Sequence, residues 1–395
     1  MKRELTVAVV LDAFRSDYLE MDANCFLSKL SRKGTVTELL PTFAFEPDLA
    51  YLTGLLPEES DAGTHFWFSP DTSPFRFLRN YGKLLDRLDP CSRWVLRNLI
   101  RLRMKRSEFP GLRSGGYTAQ IPFQLLPYFD YRHYWDLDDR QFFEGSTIFD
   151  ELRASGKSWQ YFGYPKTSSR AVDVANVVYD NGCRDADLVF LMISDLDHVG
   201  HASGPKSIEL QQVFGQLNAT LRQLFNYFLS QSKGLEFIVF GDHGMTEVRK
   251  VIDIHEVLGS LKSKPGVDYV HFLDSTLARF WFLNEGARSE VGSALSKVEG
   301  GRLVSEQDRS EYAIRYPHNK FGEMIFWADG GTLIFPNFFE ARIPERGMHG
   351  YRNEVEGNHS ILLHWSSMGR ELDAKGPPQS IAVVHEHLRE ALRLS

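Results

Sequence analysis

Three short apolar runs, Leu5 to Leu11, Leu188 to Ile193 and Phe237 to Phe240, constrain this chain more than any other feature. Each is β-branched or aliphatic in character, ends at polar residues, and reads as a strand buried on both faces. Each also runs straight into acids or histidines: Asp12 after the first, SDLDHVGH after the second and GDHGM after the third. Open α/β sheets bind ligands beyond the carboxyl ends of their strands. Three strands delivering carboxylates and imidazoles to one edge therefore predict a site there. Helical periodicity occupies Pro47 to Leu56, Ser146 to Ala154 and Ile208 to Leu229. The last lies between the second and third strands, where a right-handed crossover belongs. This alternation predicts an α/β fold built on a doubly wound, mainly parallel sheet.

At 395 residues the chain exceeds the usual limit for one simple core, so a single large domain with inserted substructure is expected. Residues 66–143 are rich in Phe, Tyr, Trp, Arg and Pro, and residues 255–340 carry strand-like runs such as HFLDSTLARFWFL and GGTLIF. Both stretches break the alternation and are expected to cap the sheet edge. Within the first, a helix from Cys91 to Arg106 places Arg93, Arg97, Arg101 and Lys105 at fourfold spacing, with Trp94, Val95, Leu99 and Leu102 as its apolar side. Its two readings are a solvated basic face on a core-packed helix and a membrane-surface contact toward anionic or lipid-linked substrate.

A formal net charge of -7 argues against a general binder of nucleic-acid polymers. Cys25, Cys91 and Cys183 share no CxxC spacing and read as thiols of a reducing compartment. The start MKRELTVAVVLDAF mimics a signal peptide, but Asp12 cuts the apolar run short and no small-residue cleavage site follows. No stretch approaches the roughly 20 apolar residues of a membrane span, and a cytoplasmic location is expected.

The strand exits carry the chemistry. Asp197 and His201 are four apart in DHVGH, Asp242 and His243 are adjacent in GDHGM, and His349 sits beside glycines in RGMHGYR. With Asp12 they make three carboxylates and three imidazoles, a donor set suited to two borderline divalent ions, with zinc the expected metal. The remaining histidines (His65, His133, His255, His271, His318, His359, His364, His385 and His387) receive no role, and His198 is expected to point away from its ligand neighbours. In DSTLARFWF, Arg279 is a candidate bidentate clamp for a substrate phosphate or carboxylate, with pairing to a buried acid as the alternative.

VVLDAFRSDYL, LPTFAFEPDLAYLTGLLPEES, DLDHVGHASGP, GDHGM and MHGY occur in the order seen in type I phosphodiesterases and nucleotide pyrophosphatases. The chain thus resembles that branch of the alkaline phosphatase superfamily. The resemblance implies an alkaline-phosphatase-like core, two zinc ions, and a small phosphorylated or otherwise anionic substrate. Carried over by motif, it implies that Asp12, Asp242 and His243 hold one metal and that Asp197, His201 and His349 hold the other.

The family's nucleophile segment, of the form PTxTxPNxxxxxTG, is altered here to PTFAFEPDLAYLTG. Counting from Pro41, or back from Thr53 and Gly54, puts Ala44 at the nucleophilic Thr or Ser; counting from Pro47 lands on Phe45. Three explanations stand. Glu46, just before a helix-starting proline, touches the metals and leaves a metal-bound hydroxide as nucleophile; Thr42 shifts register and attacks; or a natural or deliberate change at residue 44 disables the site. Asp48 lies near the family's phosphate-binding Asn, where an acid repels phosphate unless protonated or metal-bound. The expected function is therefore dinuclear-metal hydrolysis of a phosphodiester, pyrophosphate or related bond. The alternative is a metal-binding pseudoenzyme that recognises a phosphorylated or lipid-linked ligand.

Overall fold

The computed structural model describes residues 3–394 apart from positions 44, 46, 62, 107–119, 132–135, 141, 165, 184, 356 and 372–375. Its central sheet has seven strands in the order Gln379–Ser380, Thr35–Leu40, Ser360–Ser366, Gly234–Phe240, Glu4–Leu11, Leu188–Ile193 and Trp159–Phe162. All neighbours run parallel except Ser360–Ser366, which is antiparallel to both of its partners. Glu4–Leu11 sits at the centre, between the two other strands whose exits carry the acids and histidines.

Alternation of side chains along a strand explains why the sheet is wound on both faces. Leu5, Val7, Val9 and Leu11 pack on one side with Leu217, Leu221 and Leu224 of the long helix Ile208–Gln231. Ala8 and Val10 pack on the other with Leu52, Phe149 and Leu388 from helices Pro47–Thr53, Ile148–Ala154 and Val383–Leu392. The helix starts follow local chemistry. Thr147 and Asp150 form a reciprocal capping box, and the Ser207 hydroxyl accepts from the Leu210 amide.

Two boundaries differ from the sequence reading for visible reasons. The helix starting at Pro47 stops at Thr53 rather than Leu56, because Gly54 turns left-handed at φ 75° and the Thr53 hydroxyl bonds back to the Leu49 carbonyl at 2.6 Å. The strand ending at Phe240 begins at Gly234 rather than Phe237, since Glu236 looks polar in sequence yet is buried. Its carboxylate is satisfied there by His364 at 2.6 Å and by the Ser366 hydroxyl at 2.8 Å.

Within residues 66–143, strands Phe66–Phe68 and Phe129–Tyr131 pair antiparallel, and a helix runs from Pro90 to Arg106. Within residues 255–340, strands Tyr269–Leu273, Leu277–Phe282, Met324–Ala328 and Gly301–Leu303 form a separate antiparallel sheet. The two stretches share one apolar cluster, in which Phe66 and Phe129 meet Phe272 and Trp281. Arg279 lies inside that cluster, fully buried, which corrects the expectation of a substrate clamp. Its Nε donates to Asp274 at 2.8 Å, its Nη1 donates to the Phe66 carbonyl at 2.8 Å, and its guanidinium stacks over Phe272. The pair ties the two stretches together. Arg279→Ala leaves Asp274 buried and uncompensated, so the urea midpoint should fall by the equivalent of about 3–5 kcal/mol. The apolar double variant Asp274→Leu/Arg279→Met should recover most of that loss, and equal loss in both would show that packing rather than charge sets the cost.

Candidate metal centre and active site

Asp12 leaves the central strand, and the next residue, Ala13, takes a left-handed φ of 63°. That turn aims the Ala13 amide at Asp242 Oδ1, 3.1 Å away, so two strand exits are fastened to each other. The same oxygen accepts the His243 amide at 2.9 Å. Gly244 then lets the backbone pass where a Cβ would lie 2.1 Å from the Gly357 carbonyl, so no larger residue fits. His243 Nδ1 lies 2.8 Å from the Gly244 carbonyl oxygen and donates to it in the tautomer that this contact selects. This leaves Nε2 facing Asp12 Oδ1 at 3.2 Å.

The second exit opens directly into helix Asp195–Ser203, whose pitch stacks Asp197 under His201 with Nε2 and Oδ1 3.1 Å apart. His201 Nδ1 meets the Gly347 carbonyl at 2.9 Å, fixing the ring as in His243. Orienting one ring nitrogen on a carbonyl to free the other is the usual support of a metal-binding histidine. Met348, next to Gly347, pairs with Thr246 in a two-residue ladder that brings His349 in. Its ring stacks on His243 with centroids 3.6 Å apart.

All six residues expected at the site thus converge. Two overlapping trios, Asp197 with His201 and His349, and Asp12 with Asp197 and His243, bring their donor atoms within 4.8 Å of one another. Asp197 serves both trios, whereas Asp242 stands beside the second with Oδ2 3.8 Å from His243 Nε2. Asp12 Oδ1 and Asp197 Oδ1 are shut off from solvent against the His243 and His201 imidazole nitrogens, and His349 Nδ1 is buried without a hydrogen-bond partner. The protonation pattern shows the same need for positive charge. Burial opposes protonation of His201 and His243, yet Asp197 beside the one and Asp242 and Asp12 beside the other push them up to about 9 and about 10. Burial and the neighbouring Asp12 push Asp242 upward as well. Carboxylate oxygens and imidazole nitrogens gathered in this way fit a pair of zinc-like cations.

The six residues line a cavity of about 560 Å³. Its walls include Phe45, Tyr51, Phe142, Tyr164 and Phe339, together with Asp48, His65 and Glu345, and no lysine or arginine is among the described lining residues. Phe45 packs edge-on against His349 with centroids 5.4 Å apart. Of the nucleophile candidates, Thr42 does not line the cavity, and its Oγ1 is buried without a hydrogen-bond partner. Glu46 and Ala44 lie outside the described residues. Sequence reasoning passed over His65, which lines the cavity; His198 also lines it, stays outside both trios, and has its Nδ1 2.6 Å from the Ser194 carbonyl oxygen. His65 stands in a phenylalanine- and tryptophan-rich stretch, and only folding brings it to Asp48.

Burial pushes Asp48 up to about 6, with His65 pulling the other way. A carboxyl that holds its proton more tightly when folded loses stability as pH rises from its unfolded value near 4 through the folded one. In chelator-treated protein, Asp48→Asn should match the parent at pH 4 and exceed it by up to about 3 kcal/mol at pH 8. Denaturant titrations across that range check this, and a pH-independent difference would contradict it.

The type I phosphodiesterase/nucleotide pyrophosphatase family matches residues 6–359. No curated protein matches the chain significantly. Among solved structures, murine ectonucleotide pyrophosphatase/phosphodiesterase 5, as an inactive threonine-to-alanine variant in complex with AMP, superposes with a TM-score of 0.68 at 17% identity. The human counterpart gives a TM-score of 0.69, also at 17% identity, and in both cases 100% of this chain and 96% of the other are covered. These likenesses establish the shared fold, an α/β architecture with a large, mainly parallel central sheet. With nearly its whole length matched from the first strand through the last histidine motif, the chain belongs to the type I phosphodiesterase/nucleotide pyrophosphatase family.

Proposed function

We propose that this chain is a two-metal hydrolase acting on a phosphodiester or pyrophosphate bond of a small molecule. The observation that carries the reading is the pair of overlapping carboxylate–imidazole trios that line the cavity. Asp197, His201 and His349 would hold one divalent ion, and Asp12, Asp242 and His243 would hold the second with Asp197 within reach. Bound there, zinc ions supply Lewis acidity toward phosphoryl oxygens and acidify water. The chain's own part is to hold the ions with these side chains and to enclose the substrate within the cavity wall. Phe45, Tyr51 and Tyr164 supply apolar and aromatic surface for the rest of the substrate.

No Ser or Thr from residues 41–54 lines the cavity among the described residues, which favours water as the nucleophile. Its oxygen bonds to phosphorus as the bond to the leaving oxygen breaks. One proton leaves the water and one ends on the leaving group. Asp48 and His65 share the cavity with the reacting centre and are placed to take part in these transfers; Glu46 remains a second candidate acid on sequence grounds alone. A binding role without turnover is the second reading. Ala44 favours it, since the murine neighbour with threonine replaced by alanine is inactive and holds AMP.

Elemental analysis should find about two zinc ions per chain, and His243→Ala should lose one and slow bis(p-nitrophenyl) phosphate hydrolysis about a thousandfold, ~4 kcal/mol of barrier. Full turnover in that variant would sink the two-metal assignment. Metal without turnover in the parent, restored by Ala44→Thr, would instead establish the binding reading. Removing the negative charge at position 48 should also tighten phosphate binding. Calorimetry should show Asp48→Asn binding AMP about tenfold more strongly, ~1.4 kcal/mol, and weaker binding would mean that Asp48 contacts the ligand favourably.

A further inference from the structure

The segment from Arg76 to Arg106 departs from the rest of the chain in charge and in surface at once. It holds ten lysines and arginines against two aspartates, a balance of +8 in a chain whose formal total is -7. From Pro90 to Arg106 there is no acid at all. The same segment exposes large apolar side chains: Tyr81 at 60%, Leu84 at 63%, Trp94 at 63% and Leu99 at 56%, with Leu88 and Val95 also exposed. Exposed Arg79, Lys83 and Arg87 are interspersed among them. A patch this concentrated marks an interaction surface rather than the scatter of single apolar residues normal on any protein.

The fold holds the patch in place from below. Leu78, Leu85, Leu96 and Ile100 turn inward to the shared apolar cluster, and Asp86 accepts the amides of Phe123 and Gln124 at 2.7 and 2.9 Å. The inward set is thus distinct from the outward set, so the exposed residues are not a core left uncovered.

We infer that this face docks on a bilayer surface carrying anionic lipid. The combination of chemistries selects that occupant. A polyanion such as nucleic acid would satisfy the cations but offers nothing to Leu84, Leu88, Val95 and Leu99. A second copy of the chain would cover the apolar groups but bring two segments of +8 together. An anionic interface takes both: aliphatic and indole side chains enter the boundary between headgroups and acyl chains, while lysine and arginine stay at headgroup level. The stretch 66–143 also reaches the cavity through Leu137 and Phe142, so docking brings the candidate active site to the membrane.

Flotation of the full chain with vesicles tests this independently of any hydrolysis. Vesicles of phosphatidylcholine with roughly 30 mol% phosphatidylglycerol should carry about tenfold more protein than pure phosphatidylcholine, and added salt should weaken the binding. Trp94→Glu/Leu99→Glu and Arg79→Glu/Lys83→Glu should each reduce the bound fraction about tenfold, with thermal midpoint and metal content unchanged. Three results would overturn the inference: equal flotation on neutral vesicles, flotation indifferent to both variants, or self-association in sedimentation that Trp94→Glu/Leu99→Glu abolishes.

Discussion

The central position of strand Glu4–Leu11 is the constraint on which the rest of the site depends. It pairs parallel with Leu188–Ile193 on one side and Gly234–Phe240 on the other, so three chain exits open at one sheet edge. The Ala13 amide bonded to Asp242 then locks two of those exits together at 3.1 Å. A parallel ladder demands crossovers long enough to carry helices, and these supply the apolar cover on both faces. The edge is left for polar chemistry because the faces of these strands are almost wholly buried.

Concentrating ionisable groups at that edge has an electrostatic consequence. Three carboxylates and three imidazoles share one cavity, and Asp12 Oδ1, Asp197 Oδ1 and His349 Nδ1 are shut off from solvent within it. Protein protons compensate in part, as the raised His201 and His243 show. A divalent cation does so more completely, because it meets several lone pairs at once and carries its charge at the common point. Asp48 and His65 add a further acid and imidazole to the lining of the same cavity. With no cation among the described lining residues, attraction for a phosphate rests on whatever the trios hold.

Much of this was legible in the linear chain. A buried strand followed at once by Asp or Asp-His is a local pattern, and so is an Asp and a His one helical turn apart; in each, neighbours in sequence remain neighbours in space. The residues that sequence reasoning misplaced share the opposite property. Arg279 stands in a strand whose alternation is compatible with either face, and only its packing beneath Phe272 and beside Asp274 shows that it faces inward. His65 looks like one more ring in an aromatic stretch, and its proximity to Asp48 comes from the closure of a loop rather than from any local motif. The polar letter at Glu236 hid three residues of strand, because the partners that satisfy it, His364 and Ser366, come from a strand more than a hundred residues later.

From its letters alone the chain committed itself to a parallel α/β core, to the strand exits that bear acids and histidines, and to a family motif order with an altered nucleophile segment. Those commitments rest on short-range rules, the two-residue period of strands and the 3.6-residue period of helices. Folding settled the rest: that Asp197 lies within reach of both trios, that Arg279 is a buried tie between the two stretches, that Asp48 and His65 share the cavity with the trios, and that the basic segment turns Trp94 and Leu99 outward. Each of these depends on which segments meet across long stretches of chain, and on the burial and charge that their meeting creates.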